Sequence, residues 1–214
     1  MSRLSICFRS AALGALISSC ALAVDGVILI DQNRALAGNV TPGDAPGFPV
    51  SITQPGSYRL SGNLLVGTTN VAAIQIMASD VTLDLNGFGV TCALSASSTF
   101  CIGVSGAGFT DIAIRNGRVT ALSSATGFAF PVAIDLTTST ANMVTDLRIR
   151  QDGLGGGLFI GAGSVLRGNV FSGTGGGPGV VCPTLIEGNV NTAGGFSSAG
   201  NGCLKVNNAG FFGF

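Results

Sequence analysis

Histidine and tryptophan are absent from this 214-residue chain, tyrosine occurs once, and charged residues make up only 9% of it. Each shortage removes a class of chemistry. Without histidine there is no Ser-His-Asp or Cys-His relay, however many serines the chain carries, and no imidazole to ligate a metal. A single lysine, Lys205, follows residue 23, and the glycine runs at 155–157 and 175–177 match neither a Gly-x-Gly-x-x-Gly fingerprint nor a P-loop with its Lys and Ser/Thr. Nucleotide binding is therefore not expected. The basic residues form no block or stripe, so the chain carries no electrostatic footprint for nucleic acid. Uncharged stretches such as 168–186 are interrupted by Gly, Ser, Thr and Pro, and none supplies the roughly 20 apolar residues of a membrane-crossing helix.

What is present starts with an export signal. Arg3 and Arg9 give residues 1–23 a positive start, residues 11–22 are mostly apolar, and Ala21-Leu22-Ala23 is a small-x-small cleavage site. The expectation is a signal peptide and an exported, periplasmic or extracellular protein. Two other readings of the segment remain: a lipobox at Ile17-Ser18-Ser19-Cys20 with Cys20 lipidated, and a membrane anchor, for which the apolar run is short. Cleavage after Ala23 removes Arg3 and Arg9 and leaves eight basic against ten acidic residues, a net charge of −2.

Cysteine usage agrees with export. Cys7 and Cys20 leave with the signal, and Cys92, Cys101, Cys182 and Cys203 remain. An even number in an exported chain points to two disulfides. Of the three possible pairings, Cys92–Cys101 with Cys182–Cys203 closes one local excursion each. Zinc sites favour Cys-x-x-Cys or Cys/His spacings, which are missing, so no metal is expected.

The organising pattern is a recurrence. "SDVTLDLNGFGV" at 79–90 alternates Val81, Leu83 and Leu85 with polar residues before Asn86-Gly87, which in isolation is a hairpin signal. It has relatives in "DIAIRNGRV" (111–119), "DLRIRQ" (146–151), "SVLRGNV" (164–170) and "TLIEGNV" (184–190), each a short apolar strand followed by Asn or Gln. From Asn86 through Asn116, Gln151 and Asn169 to Asn189 the steps are 30, 35, 18 and 20 residues, an interval typical of repeats that stack. Further strands precede these, at 73–76, 101–104, 132–136 and 158–160. Strand, turn, strand, Asn turn and return describe one coil of a parallel β-helix, in which like strands pair about 4.8 Å apart and alternate residues fill a common interior. Stacking Asn86 on Asn116 would require a one-residue bulge, because Arg115 separates Ile114 from Asn116. An internal asparagine ladder and asparagines that each cap their own turn both remain open. Helical spacing of apolar residues is scarce beyond the signal.

"VTLDLNGFGV", "SVLRGNVFSGTGGGPGV" and "TLIEGNV" resemble right-handed parallel β-helix proteins of the pectate-lyase-like superfamily, including small exported bacterial members without assigned activity. The resemblance spans roughly residues 70 to 205 and implies a fold, since activity does not travel with an architecture. The expected class is all-β: a right-handed parallel β-helix, or β-solenoid, of about six or seven coils with an N-terminal cap. Residues 1–23 are the signal, 24–69 a Gly- and Pro-rich leader and cap, and 70–214 the β-helix, whose last residues, "NNAGFFGF", read as an apolar plug ending at Phe214.

Sugar chemistry needs only carboxylates and a base, so candidates exist. Glycosidases use two carboxyl groups about 5 to 9.5 Å apart, and calcium-assisted lyases use a carboxylate cluster with an Arg or Lys base. The catalytic candidates are Asp84, Arg115, Arg118, Arg148, Arg150 and Asp152. Arg167 and Glu187 occupy the same slot of two near-identical segments 20 residues apart and are carbohydrate-binding candidates or a simple surface ion pair. Asp80, Asp111 and Asp146 read as turn caps, and Asp84, Arg148, Arg167 and Glu187 as residues that solvate a face. Two functions follow: a non-catalytic exported scaffold that is structural, adhesive or glycan-contacting, or a small polysaccharide lyase. No cofactor is expected, with Ca2+ entering only under the second reading, and the expected partners are polysaccharide or cell-envelope components.

Overall fold

The computed structural model describes residues 26–95, 99–124 and 131–210. The signal peptide, Cys20 and the terminal Phe214 lie outside the described residues. Strands dominate. The chain opens with β1 (Ile28–Ile30), α1 (Gln32–Ala37), β2 (Val50–Ile52), β3 (Gly56–Leu60) and β4 (Leu64–Leu65). It then alternates between two sheets: β5 (Ile74–Ile76), β6 (Val81–Asp84), β7 (Gly89–Leu94), β8 (Phe100–Val104), β9 (Ile112–Ser123), β10 (Val132–Leu136) and β11 (Met143–Asp152). The remainder is β12 (Gly156–Ile160), β13 (Ser164–Arg167), β14 (Val170–Ser172), β15 (Gly176–Val181), β16 (Thr184–Glu187), β17 (Val190–Asn191), β18 (Ser197–Ala199), β19 (Leu204–Val206) and β20 (Ala209–Gly210).

Every strand pairing among the described residues is parallel. The seven-stranded sheet runs β2-β5-β8-β10-β12-β15-β18, and the thirteen-stranded sheet has two legs, β1-β3-β6-β9-β11-β13-β16-β19 and β4-β7-β9-β11-β14-β17-β20, with β9 and β11 long enough to cross both. Each strand therefore pairs with the equivalent strand of the preceding visit. Side-chain alternation sorts the residues. Val50, Ile74, Ile102, Ile134 and Leu158 form one inward row of the smaller sheet, and Tyr58, Leu83, Ile114, Val144, Leu166 and Ile186 form one inward row of the larger. All are buried and belong to a single apolar cluster. The larger-sheet row ends at Lys205, whose ammonium sits 4.4 Å from the centroid of the Phe196 ring, a cation–π contact.

Asn86-Gly87 answers the hairpin question. Both residues have positive φ, 51° and 78°, and Phe88 N–H donates to the Leu85 carbonyl, as a type I′ turn requires. Yet β6 and β7, which the turn joins, do not pair with each other; both pair with β9. The local signal is sound, and the turn serves as a corner between two legs.

The expected alignment of asparagines is corrected. Asp84 pairs with Arg115 and Gly89 with Arg118, so the corner after β6 carries two more residues than the matching bend in β9, and a one-residue bulge does not describe it. Gly117 sits under this excess, where a Cβ would come within 2.3 Å of the Leu85 Cβ, so only glycine fits. Gln151 also departs from the series, lying inward beside Ala121 on the second leg. A ladder does form further on. Asn169 and Asn189 are buried, the amide of each donates to the carboxamide oxygen of the next, at 3.0 Å from Asn169 to Asn189 and 3.0 Å from Asn189 to Asn208, and each side chain also donates to a backbone carbonyl, Val144 or Leu166. Backbone N–H groups of Leu147, Asn169 and Asn189 donate in turn to the carboxamide oxygens of Asn169, Asn189 and Asn208. The bend thus keeps its backbone groups satisfied where the strands turn away from one another.

Two disulfides join Cys92 to Cys101 and Cys182 to Cys203, the pairing of local excursions. They agree with an oxidising, exported location. At the start of the chain, Asp31 caps α1 by accepting the Arg34 N–H, and Ala35 on that helix is buried. Asp44 and Thr41, both buried, bond the outer edge of β2: Asp44 accepts from Ser51 N–H at 2.7 Å and Thr41 from Thr53 N–H at 3.2 Å. None of the described helices is long and apolar enough to cross a membrane.

Candidate functional site

The charged candidates gather on the outer surface of the larger sheet because outward positions of successive strands fall into rows. One row reads Arg59, Asp84, Arg115, Thr145, Arg167 and Glu187, with neighbours about 4.8 Å apart. Asp84 is only 8% exposed. Arg115 lies 3.5 Å and Arg59 3.9 Å from its carboxylate, while its other oxygen accepts from Asn86 N–H at 2.8 Å and from the Asn116 amide at 3.1 Å. This corrects the reading of Asp84 as a residue that merely solvates a face. Its carboxylate ties two corner turns to the sheet, and a buried charge is retained because it is both paired and hydrogen-bonded.

The other candidates resolve into pairs. Arg167 Nε meets Glu187 Oε2 at 2.8 Å, one strand apart as their shared slot implies. Arg150 Nε meets Asp152 Oδ2 at 2.7 Å along the same strand. Arg118 and Arg148 lie directly opposite each other on β9 and β11, both exposed, and neither has a carboxylate partner among the described residues. Asp84 and Asp152 are not brought together. Asp84 pairs with the first leg of β9 at Arg115, whereas Asp152 lies opposite Leu122 at the far end of the second. Among the described residues no three Cys, Asp or Glu side chains converge as metal ligands.

Asp80, Asp111 and Asp146 do something other than accept turn N–H groups. Each has a left-handed backbone, with φ of 56°, 59° and 55°, a conformation that Asp and Asn tolerate better than most residues. Asp146 lies inside β11, at the bend between its two legs, where the matching positions are Asn116, Gly168, Gly188 and Asn207, all with positive φ.

Two of the depressions on the described surface bear on the candidates. One, of about 330 Å3, is lined by Gly87, Asn116, Gly117, Arg118, Asp146 and Arg148. The other, of about 420 Å3, lies over β12 and β15, with a floor that includes Gly155, Gly156, Gly176 and Gly177 beside the half-buried Phe159 ring, and no charged side chain lines it. Reading the sequence missed Arg59 and Phe159, and it took Asn116 only as a corner. For Arg59 a signal existed: "YRLSGN" at 58–63 matches "LDLNG" at 83–87, which sets Arg59 against Asp84. Comparison of the chain with protein-family models, with curated proteins and with solved structures yields no match.

Proposed function

We propose that this chain is an exported, right-handed parallel β-helix of six or seven coils, capped at its N-terminus by the segment around α1, that works without catalysis as a cell-surface or periplasmic scaffold contacting polysaccharide or other cell-envelope components. The all-parallel pairing, the return of each strand to its predecessor and the shared apolar interior support the β-helix and its likeness to the pectate-lyase-like superfamily. The side chains of Thr41 and Asp44 on the edge of β2 support the cap, since an open strand edge invites other chains. Two disulfides support export.

One observation carries the non-catalytic reading. The candidate carboxylates Asp84, Asp152 and Glu187 are each held by an arginine of their own and stand in separate places along the sheet, where no two of them frame a single bond. A second reading, a polysaccharide lyase, draws on the depression whose lining includes Asp146, Arg118 and Arg148. The test is incubation of the purified chain, with and without Ca2+, with a panel of acidic and neutral polysaccharides. Absorbance of unsaturated products and new reducing ends are followed, together with co-sedimentation on the insoluble members. The scaffold reading expects binding without products. Products that disappear in Arg148→Gln would establish the lyase instead, and absence of binding to every polysaccharide and envelope fraction would end the glycan-contacting reading.

A further inference from the structure

Arg118 and Arg148 are anomalous for this protein. Their register sets two like charges directly opposite each other on neighbouring parallel strands, an arrangement that costs stability when nothing lies between them. The other outward arginines of this sheet have carboxylates: Arg59 and Arg115 share Asp84, Arg150 has Asp152, and Arg167 has Glu187. Acidic residues are not in short supply, since ten accompany eight basic ones after residue 23. Asp146 even lines the same depression, but it forms no ion pair with either arginine.

We propose that Arg118 and Arg148 form a binding site for a tetrahedral oxyanion, the sulfate or phosphate ester of a sugar. Each guanidinium offers five N–H donors in a planar fork suited to oxyanions. Two such cations side by side match a group with several oxygens better than they match one carboxylate. The rest of the lining selects a sugar-borne ester over a free ion. Asp146 is an acceptor-only group that would repel a bare anion, but it can accept the hydroxyl protons next to an ester, and the Asn116 amide adds a neutral polar neighbour. Gly87, with open space where a Cβ would stand, leaves that side of the depression low. The inference deepens the glycan-contacting reading by naming the group that is held, and in that respect rests on it.

The test uses the full exported chain at low ionic strength, where exposed charges are least screened. Titration calorimetry and thermal unfolding are followed with inorganic sulfate, inorganic phosphate, a sulfated galactan oligosaccharide, its desulfated counterpart and phosphatidylglycerol vesicles. The expected result is that the sulfated oligosaccharide binds and raises Tm, while the desulfated one does not. Arg118→Gln and Arg148→Gln each weaken that binding about tenfold, roughly 1.4 kcal/mol, and Arg34→Gln on α1 leaves it unchanged. Because both side chains are exposed, neither variant lowers the Tm of the free protein, which separates lost binding from lost folding. Asp146→Asn weakens the oligosaccharide and not inorganic sulfate. Arginine-dependent binding of inorganic ions or vesicles alone would overturn the sugar assignment. Equal binding of sulfated and desulfated chains, untouched by either arginine variant, would overturn the site while the glycan-contacting reading stands.

Discussion

Strands before residue 124 and strands after residue 131 follow the same path between the two sheets, yet different chemistry fills the inward positions. On the first leg of the larger sheet one inward row begins with Val81 and Ile112 and continues as Asn142, Ser164 and Thr184, all buried. The second leg passes from Leu64, Val90, Val119 and Ile149 to Phe171 and then Asn191. The bend that holds Leu147 in β11 holds Asn169, Asn189 and Asn208 afterwards. Early strands are held mainly by removing aliphatic surface from water, which is tolerant of direction. Later strands replace part of that surface with amides and hydroxyls whose bonds run from one strand to the next. Such networks are strong when complete and costly when one member is lost.

The largest expected effect tests that contrast. Asn189→Leu removes donors to Leu166 and Asn208 and the acceptor of both Asn169 groups. At about 1–3 kcal/mol for each buried group left unpaired, the loss should reach about 4 kcal/mol in urea unfolding. Leu83→Ala, at a fully buried position of the early strands, should cost about 3 kcal/mol from lost transfer energy and cavity. Asn189→Leu proving milder than Leu83→Ala would break the comparison, because the ladder would then be dispensable.

The disulfides sharpen the contrast further. Cys182–Cys203 spans 21 residues among the late strands and Cys92–Cys101 only 9 among the early ones. On loop-closure entropy alone the first should stabilise by about 0.7 kcal/mol more than the second, a difference readable from the Tm of the two Cys→Ser double variants. The smallest effect belongs to the surface. Arg167→Ala breaks a pair whose side chains are 56% and 36% exposed, and should cost roughly 0.2–1 kcal/mol, falling as salt is raised. A loss several-fold larger, independent of salt, would mean that this row supports the strands as the amide ladder does.

Particular residues show what could be read in advance. Alternation at Val81, Leu83 and Leu85 identified an inward face, and recurrence of that pattern argued for strands that return to one another. The four cysteines after residue 23 paired by proximity along the chain. Asn86 and Asn116 were legible as corners that do not align, but the offset read from the sequence was one residue where the register shows two. Asp84 looked exposed because its strand position is outward; the turns after β6 and in β9 fold their Asn86 N–H and Asn116 amide onto it. Arg118 and Arg148 stood out in the sequence as candidate cations, but nothing there set them opposite each other, since that depends on how many residues the chain spends between β9 and β11.

By itself the sequence determined where strands and corners lie, which faces are apolar and which catalytic relays are impossible, because each follows from the identity and spacing of residues close together in the chain. Tertiary structure alone decided which strand lies beside which and in what register. Register depends on the length of every turn between paired strands, and a change of one residue would move each charge to the opposite face. Pairing of Asp84 with two arginines, the late asparagine ladder and the opposition of Arg118 and Arg148 are all consequences of that register.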